Sequence, residues 1–204
     1  MEEWNCIDVI KPLGADVRAA IHRSLGADYA VMAMNLNGDN NIGSMIRTAA
    51  LMGARSFFLT GRRKYDRRYA VGTNHYIDVQ FVPGVYNVLI DTRHSVACTC
   101  GECKYVDSEA LLKFLLEYGG TPCFVEQYLG AVCVTDPVWK RTVDRPVFIF
   151  GNEHSGVSRE TIVFIKEHIP KTIVLQIPQV GVLRSLNVSV ACNVVLWEFM
   201  RARL

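Results

Sequence analysis

Short apolar runs alternate with segments of helical periodicity along this chain, and that alternation restricts the fold more than any single motif. The run Tyr29–Leu36 predicts a buried strand, and Asn41–Ala54 predicts a helix that stops at Gly53. Arg55–Thr60 predicts the next strand, so a strand–helix–strand unit fits within about 32 residues. Such a unit requires its two strands to be parallel.

The rest of the chain continues the pattern. Strands are predicted at Asp78–Val82, Pro122–Gln127, Pro146–Gly151 and Thr172–Ile177. Helices are predicted at Val17–Leu25, Asp107–Gly119 and Ser158–Ile169, with a last helix that begins near Ser185. Residues 84–105 show no clear pattern. The sequence therefore predicts an α/β fold with a mostly parallel sheet of about five to six strands.

The composition is that of a protein with a hydrophobic core. The chain has 204 residues, of which 50% are hydrophobic and 21% charged, so we expect a single domain over residues 1–204 with a short N-terminal helical extension at 1–28. No uncharged apolar run reaches the length of about 18 residues that a membrane span needs. The acidic N-terminus is unlike a signal peptide, so we expect a cytoplasmic protein.

The cysteines and the net charge restrict the function only weakly. Seven cysteines are present, and Cys6, Cys123, Cys133 and Cys192 stand in apolar surroundings, which favours reduced thiols over disulfides. The net charge of +2 is nearly neutral and neither favours nor excludes a nucleic-acid partner.

Three predicted strand ends are unusually polar. They are followed by "NLNGDNNIGSMIRTA", by "GNEHSG" (Gly151–Gly156) and by "IPQVGVLRSLN". Each stretch has glycines, an amide or carboxylate and a following helix, which is typical of a backbone-lined pocket at the carboxyl ends of strands. Neither a phosphate-binding loop with its lysine nor a Gly-x-Gly-x-x-Gly motif is present.

Each of these residues also has a purely structural interpretation. Asn41 fits a helix N-cap, Arg47 an exposed helical arginine, and Glu153 a solvated loop acid. Three polar corners at successive strand ends favour the functional interpretation over three separate coincidences.

In order, the three corners resemble the three motifs of the SpoU family of RNA ribose 2′-O-methyltransferases, the TrmH-like proteins of the SPOUT superfamily. Asn41, Arg47 and Gly53 match the first motif, and Gly151, Glu153 and Gly156 match the second. The third is matched by Ile177, Pro178, Gly181, Ser185, Leu186 and Asn187. The resemblance runs from about Tyr29 to the end of the sequence.

The resemblance implies a deep C-terminal trefoil knot, a homodimer, and S-adenosylmethionine held in a bent shape. It implies these cofactor-binding residues: Gly151, Asn152, Glu153, Ile177, Gly181, Leu186 and Asn187. It implies these catalytic residues: Asn41, Arg47, Glu153, Ser185 and Asn187. The substrate would be RNA, with a guanosine in the tRNA D-loop as the best guess. An rRNA target and a non-catalytic RNA-binding protein of the same fold remain alternatives.

A basic segment follows the second strand. Residues 61–76 combine aromatic side chains with five cations, which are Arg62, Arg63, Lys64, Arg67 and Arg68. Cations interleaved with aromatics suit a phosphate backbone and unstacked bases. A solvated basic loop is the structural alternative.

A second unusual cluster lies in the segment without a clear pattern. His94, Cys98, Cys100 and Cys103 provide four soft ligands within ten residues. Their spacing is not that of common zinc fingers, so the sequence favours a reduced surface loop over a metal site.

Overall fold

The computed structural model describes residues 10, 12–61, 63–88, 104–183 and 185–203. The cluster of His94, Cys98, Cys100 and Cys103 lies outside these residues. Arg62, Arg184 and Cys6 lie outside them as well.

Seven strands form one parallel sheet, and two more pair separately. In chain order the strands are β1 (Ala27–Met34), β2 (Ala54–Thr60), β3 (Asp78–Val82), β4 (Tyr86–Val88), β5 (Lys104–Val106), β6 (Thr121–Val125), β7 (Val132–Cys133), β8 (Pro146–Phe150) and β9 (Ile173–Gln176). The sheet order is β3-β2-β1-β8-β6-β9-β7, with every pair parallel. Strands β4 and β5 form an antiparallel pair.

Helices cover both faces of the sheet. They are α1 (Ala15–Leu25), α2 (Asp39–Leu51), α3 (Ser108–Tyr118), α4 (Pro137–Thr142), α5 (Arg159–His168) and α6 (Val188–Arg201), with 3-10 turns at Arg67–Ala70 and Thr73–His75. Local sequence sets several helix ends. Asp107 and Ser158 accept hydrogen bonds from the amides of Ala110 and Thr161 as N-caps.

The two faces of β1 lie in two separate cores. Tyr29 and Val31 pack in a cluster with α2, α4 and α6, while Ala30 and Met32 pack in a cluster with α3 and α5. A strand buried on both faces is apolar at most positions, which is why the central strands β1, β6 and β8 stand out as mostly apolar runs in the sequence.

The predicted fold class is confirmed, and every predicted strand and helix is present with ends within a few residues of the prediction. Three elements were not predicted: strand β7, the short helix α4 and the β4–β5 pair. Among the described cysteines, Cys123, Cys133 and Cys192 carry free thiols. No helix in the described ranges is both long and apolar enough to span a membrane.

The connection between β6 and β7, residues 126–131, crosses strand β9. Val125 of β6 and Val132 of β7 both pair with Leu175, from opposite sides of β9. On either side of the crossing, the Glu126 amide donates to the Leu175 carbonyl at 3.0 Å and the Val134 amide to the Gln176 carbonyl at 2.9 Å. A later strand is thus inserted between two earlier ones that a short connection joins.

Candidate active site

A cleft of about 550 Å³ lies at the carboxyl ends of β8, β6 and β9, where an open α/β sheet places its ligands. Its walls come from three turns, one after each of these strands. The residues that line it are Val125, Glu126, Gln127, Phe150, Gly151, Asn152, Glu153, His154, Ser155, Gly156, Ile177, Gln179, Ser185, Leu186, Asn187, Val188 and Ala191.

The turn after β8 is held by the buried side chain of Asn152. Its Nδ2 donates to the Asn35 carbonyl at 2.6 Å, and its Oδ1 accepts from the His154 amide at 2.9 Å. A Cβ on Gly151 would lie 2.3 Å from the carbonyl carbon of Gly156. This close approach of backbone to backbone requires glycine at position 151.

Glu153 joins this turn to the corner after β1. Its Oε1 accepts from the Gly38 amide at 3.2 Å and from Nδ2 of Asn41 at 3.0 Å, and its Oε2 accepts from the Asn37 amide at 3.0 Å. Burial alone would raise the pKa of this carboxyl, but these hydrogen bonds outweigh it, so the pKa lies below the usual range of glutamate. Glu153 is therefore not the solvated loop acid of the structural alternative.

Asn41 links Glu153 to the last helix. Helix α2 begins at Asp39 with Gly38 as N-cap, so Asn41 is buried inside the first turn and is not the cap. Its Oδ1 accepts from Nδ2 of Asn187 at 3.1 Å. The structure thus brings Glu153, Asn41 and Asn187 together in one hydrogen-bonded chain of side chains.

The loop after β9 provides the third wall. Ile177, Ser185 and Leu186 line the cleft, and Ser185 is exposed there. Gly181 is exposed and is not among the lining residues. Gln179 and Asn187 add polar groups to this wall, and Val188 and Ala191 of α6 add apolar ones.

Arg47 differs in exposure from Asn41, which is buried in the same helix. It is exposed on α2, the helix that carries Asn41, and it is not among the residues that line the cleft. The basic side chain therefore stands on the outer surface of the element that positions Asn41.

The basic segment packs against the same helix. A Cβ on Gly43 of α2 would lie 2.3 Å from Cβ of Tyr69, so glycine at 43 lets the 3-10 turn Arg67–Ala70 approach α2 closely. The guanidinium of Arg63 lies 5.9 Å from the ring centre of Phe81. Arg68 pairs with Asp66 at 2.5 Å. Arg63, Lys64, Arg67 and Arg68 are all exposed.

The sequence prediction missed the corner after β6. Glu126 and Gln127 both line the cleft, and Nε2 of Gln127 donates to the Ile177 carbonyl at 2.9 Å. An acid and an amide directly after a buried strand are the same signal that marked the other corners. Across the described residues, no group of histidine, cysteine, aspartate or glutamate side chains has a metal-binding arrangement.

Solved structures resemble this fold at low sequence identity. One is the SpoU methyltransferase AviRb from Streptomyces viridochromogenes in complex with AdoMet, with a TM-score of 0.60 and 22% identity over 86% of this chain and 61% of that one. A second is the A. aeolicus TrmH/SpoU tRNA modifying enzyme, with a TM-score of 0.63 and 20% identity over 93% and 84%.

A third is described as an RNA 2′-O ribose methyltransferase, with a TM-score of 0.58 and 19% identity over 85% of this chain and 56% of that one. The chain thus spans about 61% of the length of AviRb. A search of curated proteins gave no significant match.

The sequence itself matches a family model. The model for the SpoU rRNA methylase family covers residues 28–197, which include all three polar corners and every strand of the sheet except the first residue of β1. This match extends over most of the chain, and it shows that the chain belongs to the SpoU rRNA methylase family.

Proposed function

We propose that this protein transfers a methyl group from S-adenosylmethionine to a ribose 2′-hydroxyl of RNA. The observation that carries the proposal is the hydrogen-bonded chain of Glu153, Asn41 and Asn187 beside a cleft at three strand ends. Family membership supports methyl transfer to RNA, and AviRb, a protein of similar fold, was solved with AdoMet bound.

The cleft suits a nucleoside cofactor. Backbone groups of the Gly151–Gly156 turn lie on one wall, and a Cβ on Gly151 would be too close to the opposing strand of that turn. Apolar side chains such as Ile177 and Leu186 lie on the other wall and suit a flat adenine ring. These features support the predicted cofactor-binding residues. Gly181 does not line the cleft, so we propose that it affects cofactor binding only by shaping the loop after β9.

S-adenosylmethionine supplies a methyl on a sulfonium, which is already a reactive donor, so the protein must position the acceptor and handle the hydroxyl proton. Glu153 is poorly suited to accept that proton. Three hydrogen bonds occupy its oxygens and lower its pKa, so it acts by orienting Asn41. Asn41 and Asn187 in turn fix each other's amides toward the ribose.

We propose that Ser185, which lines the cleft, donates a hydrogen bond to the cofactor or to a substrate phosphate. Arg47 has a different role, because a guanidinium stays protonated in proteins and so does not act as a base. We propose that Arg47 holds the neighbouring phosphate and stabilises the developing alkoxide when RNA is bound.

The preferred substrate is a tRNA, with a D-loop guanosine as the best candidate. The A. aeolicus protein, described as a tRNA modifying enzyme, matches over 84% of its length, which is a larger share than for AviRb. An rRNA target is the second candidate, supported by the family description. In either case we propose that the exposed Lys64 and Arg67, with Arg62, Arg63 and Arg68, contact the phosphate backbone, and that the protein acts in the cytoplasm.

Strand β9 crosses the connection 126–131 and lies between the two strands that this connection joins, which supports the proposed trefoil knot. Folds without a knot very rarely have threaded connections. A homodimer is supported by an apolar groove of about 470 Å³ between α1, α2 and α6. Leu25, Leu51 and Trp197 line it and are 75%, 64% and 50% exposed. A solution mass of one chain would contradict the dimer.

The direct test combines binding and transfer. The purified chain should bind S-adenosylmethionine in calorimetry and transfer labelled methyl groups to total RNA, and the product should resist alkaline cleavage at one nucleotide. Fractionating the RNA into tRNA and rRNA separates the two substrate candidates. Binding of RNA without binding of S-adenosylmethionine would instead support the non-catalytic alternative.

A further inference from the structure

The corner after β6 has no role in the reaction as described above. Strand β6 lies between β8 and β9, so Glu126 stands between the two turns that carry the proposed cofactor-binding residues. The side chain is half-buried and lines the cleft. A ligand that fills the cleft therefore contacts a wall that includes this carboxylate.

The turn after β8 is shaped around this carboxylate. Oε2 of Glu126 accepts from the Val157 amide at 3.0 Å, and Oε1 accepts from the Gln127 amide at 3.0 Å. Gly156 has a φ of +61°, and a Cβ there would lie 2.3 Å from Oε2. One amide on each oxygen fixes the plane of the carboxylate and leaves each oxygen able to accept a further hydrogen bond.

The remaining acceptor capacity favours a ligand that donates hydrogen bonds. Within the described part of the chain, no lysine or arginine forms an ion pair with Glu126. A half-buried carboxylate gains most from donors that share its environment, because hydrogen bonds to charged groups are the stronger ones.

The sheet order indicates which part of the ligand Glu126 meets. Glu153 and Asn41 follow β8 and β1, whereas Glu126 follows β6, about 4.8 Å further across the sheet from β8. If the methyl is transferred beside Asn41, then Glu126 faces another part of the same molecule. A fixed carboxylate with two open acceptors matches two adjacent hydroxyls better than an ammonium, which is a point charge.

We propose that Glu126 accepts hydrogen bonds from the two ribose hydroxyls of the cofactor's nucleoside and so selects ribonucleosides over deoxyribonucleosides. Acidic residues at strand ends hold ribose hydroxyls in other α/β nucleotide sites for the same chemical reason. Gln127 bonds the Ile177 carbonyl at 2.9 Å, which links the ribose contact to the opposite wall. This inference rests on the proposed function, because it takes an adenosyl cofactor as the ligand.

The test measures binding rather than turnover. Calorimetry with the full chain compares S-adenosylhomocysteine, its 2′-deoxy counterpart and 5′-methylthioadenosine, which lacks the amino-acid arm. We expect wild type to bind the 2′-deoxy compound about tenfold more weakly than S-adenosylhomocysteine. Glu126→Gln should lose about tenfold affinity for both ribonucleosides and less for the deoxy compound, which keeps only the 3′-hydroxyl. Glu160→Gln, on the exposed first turn of α5, is the matched control and should behave as wild type.

Three results would overturn the inference and leave the proposed function standing. The first is equal binding of S-adenosylhomocysteine and its 2′-deoxy counterpart by wild type. The second is an equal loss of affinity for these two compounds in Glu126→Gln. The third is a loss of affinity in Glu126→Gln that spares 5′-methylthioadenosine. The first needs no variant, so it decides the matter even if Glu126→Gln fails to fold. Wild type that binds none of the three compounds would instead refute the proposed function.

Discussion

The Nδ2 of Asn187 donates a hydrogen bond to Oδ1 of Asn41 at 3.1 Å, across 146 positions of sequence. The same side chain is the N-cap of α6, where its Oδ1 accepts from the amides of Ser189 at 2.9 Å and Val190 at 3.4 Å. The oxygen of this amide therefore caps helix α6, and its nitrogen contacts Asn41 in the proposed site.

These two tasks separate experimentally. In Asn187→Asp the cap is kept and the donor to Asn41 is lost, so we expect the melting temperature to stay near that of wild type and methyl transfer to fall by about two powers of ten. In Asn187→Ala both are lost, with about 1 kcal/mol of stability as well. Thermal unfolding and labelled methyl transfer measure the two effects. Full activity in the aspartate variant would leave Asn187 with the cap alone.

We expect Arg47 to affect methyl transfer but neither the stability of the fold nor the affinity for the cofactor. Because Arg47 is exposed and outside the cleft, Arg47→Ala should keep both the melting temperature and the affinity for S-adenosylmethionine. Transfer should fall by two to three powers of ten, which is about the effect of removing a group that stabilises developing charge. Arg55→Ala, at an exposed arginine on β2, serves as control. Near-normal turnover of Arg47→Ala would contradict the assignment.

The hydrogen bonds to Glu153 predict a pH dependence of stability. Its folded pKa is lowered, so its stabilising effect is fully present above the unfolded pKa of about 4.3 and is lost as the pH falls through the folded value. Urea unfolding should show Glu153→Gln less stable than wild type at pH 7, by a margin that narrows as the pH falls below about 4.3. Glu117→Gln, in an exposed pair with Lys113, should show a small, flat difference. A gap of constant size across this range would argue against the prediction.

The basic segment should control RNA affinity and its dependence on salt. Lys64→Glu with Arg67→Glu should raise the KM for RNA, leave cofactor affinity unchanged and lower the slope of log K against log salt by about two. Lys113→Glu on α3, which reverses one charge where the test variant reverses two, is a control distant in sequence from this segment. Filter binding at several salt concentrations measures the slope. RNA binding that does not respond to salt would support the solvated-loop alternative.

Sequence patterns predicted the centre of the sheet because β1, β6 and β8 are buried along most of their length, and such apolar runs differ clearly from loops. Strand β7 is different, since its two residues, Val132 and Cys133, form a strand only by pairing with β9. Helix α4 has six residues, too few for a periodicity, although the Asp136–Pro137 pair is a usual helix start. Non-local pairing and short length therefore explain both omissions.

The sequence likewise predicted some features of the candidate site and not others. Polar corners and the family resemblance identified Asn41, Glu153 and Asn187, but no pattern predicts that Asn41 bonds both of the others. Gly43 lies inside a helix, and its close contact with Tyr69 depends on tertiary packing. Contacts between distant segments are decided by the fold as a whole, so local sequence does not show them.

The crossing of residues 126–131 over β9 has a consequence for synthesis on the ribosome. The walls of the cleft come from residues 125–127, 150–156 and 177–191, and the last of these follow the threaded strand. A growing chain can therefore assemble its first strands while it still lacks any place for a cofactor. If the cleft holds the cofactor as proposed, a growing chain binds it only after residues 177–191, which complete the wall beyond β9, have been added.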